Sequence, residues 1–116
     1  MSNEFLDYVE DIIDAMDKAE ILLKDVTYED LEDDFRINFA VVRALEIIGE
    51  ATKRLPMALR DEYPDIPWKD MAGMRDRIIH GYDKVNFRTV WDTVKNRIPV
   101  VKPQIQQILA DYEAQE

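Results

Sequence analysis

Three long stretches of this chain repeat their apolar residues every three to four positions, and none alternates with the two-residue period of a half-buried strand. From Phe5 to Leu23 the repeat is Phe5, Val9, Ile12, Met16, Ala19 and Leu23, widened by Leu6 and Ile13, with acids on the other face. From Phe35 to Leu55 it is Val41, Ala44, Leu45, Ile48, Ala51 and Leu55, extended by Ile37, Ala40 and Ile47. From Phe87 to Tyr112 it is Phe87, Trp91, Val94, Ile98, Val101, Ile105, Ile108 and Tyr112. Stripes of this period are the buried faces of amphipathic helices. The expectation is an all-α bundle of four to five main helices, folded as one domain over residues 1–116.

The residues between the stripes set the joints. Thr27 with Asp30 three positions on resembles a capping box and starts a short second helix. Pro56 opens another short helix that ends before Pro64, and Pro67 suits the first turn of the helix that follows. Trp68 reads as a core or hinge anchor, and Asn86 as the N-cap of the last helix. Gly49, in mid-helix, costs about 1 kcal/mol against Ala and implies a close helix crossing. The last stripe survives Pro99 and Pro103, which calls for a kinked helix or two collinear pieces.

The composition excludes several function classes. There is no cysteine, so disulfides and thiolate metal sites are absent, and a lone histidine with scattered carboxylates is a poor zinc set. No apolar run approaches the ~20 residues of a membrane span, and the N-terminus is acidic where a signal peptide would be basic. These features point to a cytoplasmic protein without cofactor or membrane partner. The net charge of −10 speaks against a nucleic-acid ligand, but the acid is local. Residues 1–34 carry a net −11 and residues 35–116 a net +1, which leaves room for a basic cleft on an acidic protein.

The chemistry concentrates in Met71–Tyr82, MAGMRDRIIHGY, which holds the single histidine. As one helix it would set Met71, Met74, Ile78 and Ile79 on an arc about 140° wide, with Arg75 inside the arc and Tyr82 about 20° from Arg75. His80 would stand near the helix end, with Gly81 as the stop. An imidazole that titrates near neutrality and an arginine suited to phosphate oxygens could cleave RNA without a metal, through attack of the 2′-hydroxyl on its own phosphate. That reaction needs an acid and a base, so one histidine per chain implies a two-fold dimer sharing a groove. A capping histidine and a salt-bridged arginine are the competing structural reading. On the Phe35–Leu55 helix, Arg43, Glu46 and Glu50 collect on the polar arc with Phe35 and Phe39. They read either as i,i+3 and i,i+4 pairs on a wet surface or as the lining of a groove at an interface.

RDRIIHGY matches the R-x4-H-x-Y motif of HEPN-domain proteins. With LEIIGEATKRLP, PDIPWKDMAGMRDRIIHGYDKV and VWDTVKNRIP around it in order, nearly the whole chain resembles the HepT-like toxin family. The resemblance implies a HEPN-like bundle and a homodimeric, metal-independent endoribonuclease, the toxin of a toxin–antitoxin pair. It implies RNA rather than DNA as substrate. Its partner would be a minimal nucleotidyltransferase of the MntA type, in a complex larger than a dimer, that transfers AMP to the motif tyrosine. By position, Arg75 and His80 are then the catalytic pair, Tyr82 the residue adenylylated, and Asp76 a support that orients His80 or Arg75. The alternative within the family is a non-catalytic HEPN module that binds a nucleotidyltransferase or a nucleotide.

Overall fold

The computed structural model describes residues 4–81 and 84–115. It is an all-α bundle, as the apolar periods require. Helix α1 spans Phe5–Leu23 and buries Val9, Ile12, Met16, Ala19 and Leu23 against α3, Phe35–Lys53, in the most extensive helix pairing of the fold. The α3 side of that core is Val41, Leu45 and Ile48, all fully buried. Between them lies α2, Tyr28–Asp33, with the capping box complete: the Asp30 N–H donates to Thr27 Oγ1 and the Thr27 N–H to Asp30 Oδ2. The turn after α1 is made by Asp25 at φ 58, a left-handed conformation that an aspartate tolerates better than most side chains.

Short helices follow: α4 is Met57–Glu62, α5 Trp68–Ala72 and α6 Met74–Ile78. Arg60 donates to the Thr52 carbonyl at 2.7 Å, closing the end of α3, and the Trp68 indole N–H donates to the Arg60 and Tyr63 carbonyls. Trp68 therefore anchors the corner as its size and polar handle suggest. The chain then makes a two-stranded antiparallel ladder, β1 Ile79–His80 with β2 Lys84–Val85, before α7, Phe87–Asp92. The ladder is a departure from the all-helical reading. Two residues per strand are too few to show an alternating pattern in sequence.

The last stripe is carried by α7, a π-turn over Thr93–Arg97, and α8, Ile98–Glu113, without a break. The π-turn is how the chain accommodates Pro99. The Ile98 N–H donates five residues back, to the Thr93 carbonyl, and the extra residue places Pro99 in the first turn of α8, where a missing N–H costs nothing. Only Pro103 remains inside a helix, and Val94, Ile98, Ile105 and Ile108 stay buried across the joint. Polar ties hold α8 to the frame: Lys102 bridges Asp17 and Glu20 of α1, and Tyr63 donates to Asp111 at 2.7 Å. The hydrogen bond to Glu20, then that to Asp17, holds the Lys102 ammonium above its ordinary pKa, and burial with the Asp111 contact pushes the Tyr63 hydroxyl up.

The close crossing expected at Gly49 is present. A Cβ there would lie 3.2 Å from the Met71 carbonyl oxygen and 3.3 Å from the Met74 Cβ, so α3 and the α5–α6 junction touch through a missing side chain. Gly49→Val should therefore destabilise the protein by about 1–3 kcal/mol through overpacking, in spite of valine's better helix propensity. Urea unfolding monitored by circular dichroism measures it.

Candidate active site

Arg75 and Asp76 are exposed because of what their helix buries. In α6 the residues turned inward are Met74 and Ile78, with Met71 of α5 beside them. The single helix expected over Met71–Tyr82 is not formed. It breaks at Gly73 and ends at Ile78, and with Ile79 removed the apolar arc narrows by about 80°, which leaves Arg75 outside it. The guanidinium expected in the packing face is thus in solvent, and its desolvation cost does not arise.

His80 is placed by the ladder rather than by a helix. The Ile79 N–H donates to the Arg75 carbonyl and closes the last turn of α6, and the chain then extends. Arg75 and His80 are separated by one helical turn and one extended step, no more than about 10 Å between α-carbons. Gly81, at φ 77, turns the hairpin instead of stopping a helix. At the far side the Asn86 N–H donates to the Ile78 carbonyl at 2.7 Å, and Asn86 Oδ1 accepts from the Thr89 N–H at 3.0 Å, capping α7 as its sequence position suggests. The base of the hairpin is therefore tied to both flanking helices. Tyr82 lies outside the described residues.

The three groups on α3 behave differently. Arg43 pairs with Glu50 at 3.3 Å, two turns away, in place of the i,i+3 and i,i+4 pairs expected, and both side chains are largely exposed. Such a pair stabilises little. Glu46 is half-buried. Arg43 also edges an apolar groove of about 410 Å³ between α1 and α3, formed by Ala15, Ile21, Leu22, Ala40, Ala44 and Ile47. Phe35 and Phe39 stand free on the same helix, 68 % and 76 % exposed, their rings edge to face at 6.3 Å.

The structure thus brings Arg75, Asp76 and His80 onto one short segment, and Arg43 and Glu50 onto another. Among the described residues no ion pair links the two sets, and Asp76 makes none with Arg75 or His80, so its expected orienting contact is not formed in the single chain. Among the same residues no cluster of three or more His, Asp or Glu has metal-binding geometry, and no helix is long and apolar enough to cross a membrane. Arg75 and His80 are each exposed, so a guanidinium and an imidazole are both accessible to an anion from solvent.

Comparison with known proteins bears on what that surface does. The family model described as "Ribonuclease HepT-like" matches residues 12–108. A Methanocaldococcus jannaschii protein named "Putative RNase MJ0125" is 43 % identical over 106 residues, 91 % of this chain and 91 % of its own. The "Probable ribonuclease HepT" of Thermococcus cleftensis is 43 % identical over 108 residues, 93 % of this chain and 98 % of its own. A Caldanaerobacter subterraneus protein named "Putative RNase TTE0752" is 41 % identical over 102 residues, 88 % of this chain and 91 % of its own. No solved structure matches.

The exposure of His80 and the cap made by Asn86 predict different costs to folding. His80→Ala should leave stability within about 0.5 kcal/mol, whereas Asn86→Ala should cost about 1 kcal/mol. Thermal and urea unfolding of the two variants reads the difference.

Proposed function

The chain belongs to the HepT-like ribonuclease family, and from that premise we propose that it is an endoribonuclease in which Arg75 and His80 cleave RNA without a metal ion. The observation that carries this reading is that both side chains stand exposed on the α6–hairpin segment, one turn and one residue apart, inside the stretch that the family match covers. In the reaction the 2′-oxygen attacks the adjacent phosphorus as its proton is taken by an imidazole. The bond from phosphorus to the 5′-oxygen breaks, and the leaving oxygen is protonated by a second imidazole. The products are a 2′,3′-cyclic phosphate and a 5′-hydroxyl. Arg75 offers paired N–H donors to the non-bridging oxygens as charge builds on the pentacoordinate phosphorus.

One imidazole per chain cannot be base and acid in the same turnover without an exchange of protons. The site is therefore completed by a second copy, with His80 of the partner subunit across a two-fold groove. The whole chain acts as one domain, supported by the one buried cluster that, among the described residues, joins α1, α3 and α8. The exposed aromatic pair Phe35–Phe39 and the Arg43, Glu46, Glu50 strip supply a surface of mixed character suited to an interface.

The likeness of nearly the whole chain to the HepT-like family supports reading it as the toxin of a cytoplasmic toxin–antitoxin pair, restrained by a nucleotidyltransferase of the MntA type. In that step the Tyr82 phenol oxygen attacks the α-phosphate of ATP and releases pyrophosphate, leaving AMP on the tyrosine. An AMP group on the tyrosine, two residues beyond His80 in sequence, would compete with RNA for Arg75.

Purified protein should cut RNA with undiminished rate in EDTA and leave cyclic phosphate ends. Arg75→Ala and His80→Ala should each lose at least 100-fold in rate. Loss of activity in EDTA, or an active His80→Ala, would overturn the mechanism. Tyr82→Phe should remain active and resist silencing by the transferase with ATP, read by cleavage assay and by the mass of an AMP adduct on the unmodified sequence.

A further inference from the structure

In a two-stranded antiparallel ladder, residues directly opposite each other project to the same face. Here Ile79 is opposite Val85 and His80 is opposite Lys84. Ile79 and Val85 are half-buried and pack on the core, whereas His80 and Lys84 are exposed. Burial of the first pair fixes the second, because a slip of one residue would turn the imidazole and the ammonium into the protein. The Cβ atoms of His80 and Lys84 are accordingly about 4.5–5.5 Å apart, and the four-carbon stem of lysine lets its charge range over the space above the imidazole.

Three basic side chains that follow the hairpin are engaged elsewhere. The Arg88 guanidinium lies 3.9 Å from the centre of the Tyr28 ring, Lys95 donates to the Leu23 carbonyl at 2.7 Å, and Arg97 approaches Asp70 at 3.8 Å. Lys84 is the cation that the hairpin register holds on the same face as the histidine. A group bound there meets an ammonium and an imidazole from one side, with Arg75 a helical turn away. That set suits the backbone of a nucleic acid, which offers non-bridging oxygens at successive phosphates.

We propose that Lys84 is a substrate-binding residue that contacts a phosphate of the RNA strand lying over His80, a contact additional to the Arg75–His80 pair. The inference rests on the ribonuclease reading above. Lys84 contributes a point charge to binding and takes no part in proton transfer, so its removal weakens association with the strand and leaves the chemical step of bound RNA intact.

The test uses the full chain with a single-stranded RNA oligonucleotide. Cleavage is followed in the otherwise unaltered protein, and binding is followed by fluorescence anisotropy in a His80→Ala background across 50 to 200 mM salt. Lys84→Gln should raise KM and the dissociation constant by about 3–10-fold, leave kcat within about 2-fold, and lower the slope of log affinity against log salt by about 0.7. Lys84→Arg should restore binding, and Lys84→Glu should weaken it further. A Lys84→Gln protein that binds and cleaves like the unaltered chain overturns the assignment. So does a loss that follows a lowered melting temperature, since the residue would then be structural. If the unaltered chain neither binds nor cuts RNA, the ribonuclease reading has failed. If it does both and only the Lys84 variants are silent, Lys84 alone is wrong.

Discussion

The contact on which the placement of the Arg75–His80 segment depends is the backbone approach at Gly49. Where α3 has no side chain, the Met71 carbonyl and the Met74 Cβ come within 3.2 and 3.3 Å of the position a Cβ would take. That contact seats the α5–α6 corner against the longest buried helix face. Arg75 leaves α6 one residue after Met74, so its direction follows from the seat of its neighbour. A glycine that weakens a helix locally is repaid by the position it gives to a guanidinium on another.

A second constraint acts from the other end of the chain. The apolar stripe of the last helical run has to stay on the core across two prolines, and the π-turn over Thr93–Arg97 absorbs the first of them. Its consequence reaches the hairpin. Because α7 is held in line with α8, its cap residue Asn86 is fixed, and Asn86 ties the end of β2 back to Ile78. The short ladder is thus clamped between two helices, and two residue pairs suffice to orient His80. An isolated hairpin of that length would be marginal at best.

Charge follows the same division. Most of the acid of residues 1–34 lies on α1 and α2, where part of it is used to hold Lys102 of α8, and the segment with His80 carries Arg75, Arg77 and Lys84 against Asp76 and Asp83. A protein of net charge −10 can therefore present a local surface suited to an anion. The family to which the chain belongs accords with such a surface.

The amino-acid sequence by itself determined the helical class, the capping box at Thr27, the Asn86 cap, the close approach at Gly49 and the candidate pair Arg75 and His80. Each of these is written in local spacing or in the chemistry of one residue type. The tertiary structure alone decided that the helix ends at Ile78, that Arg75 faces water, that Arg43 reaches Glu50 and not a nearer acid, and that Lys84 stands opposite His80. In Ile78, Ile79, His80 and Gly81 the helical and extended periods fit equally well over so few residues. The choice fell to the packing of Ile79 and Val85 on the core and to the bond from Asn86 to Ile78, interactions between positions six and eight residues apart that no helical period encodes.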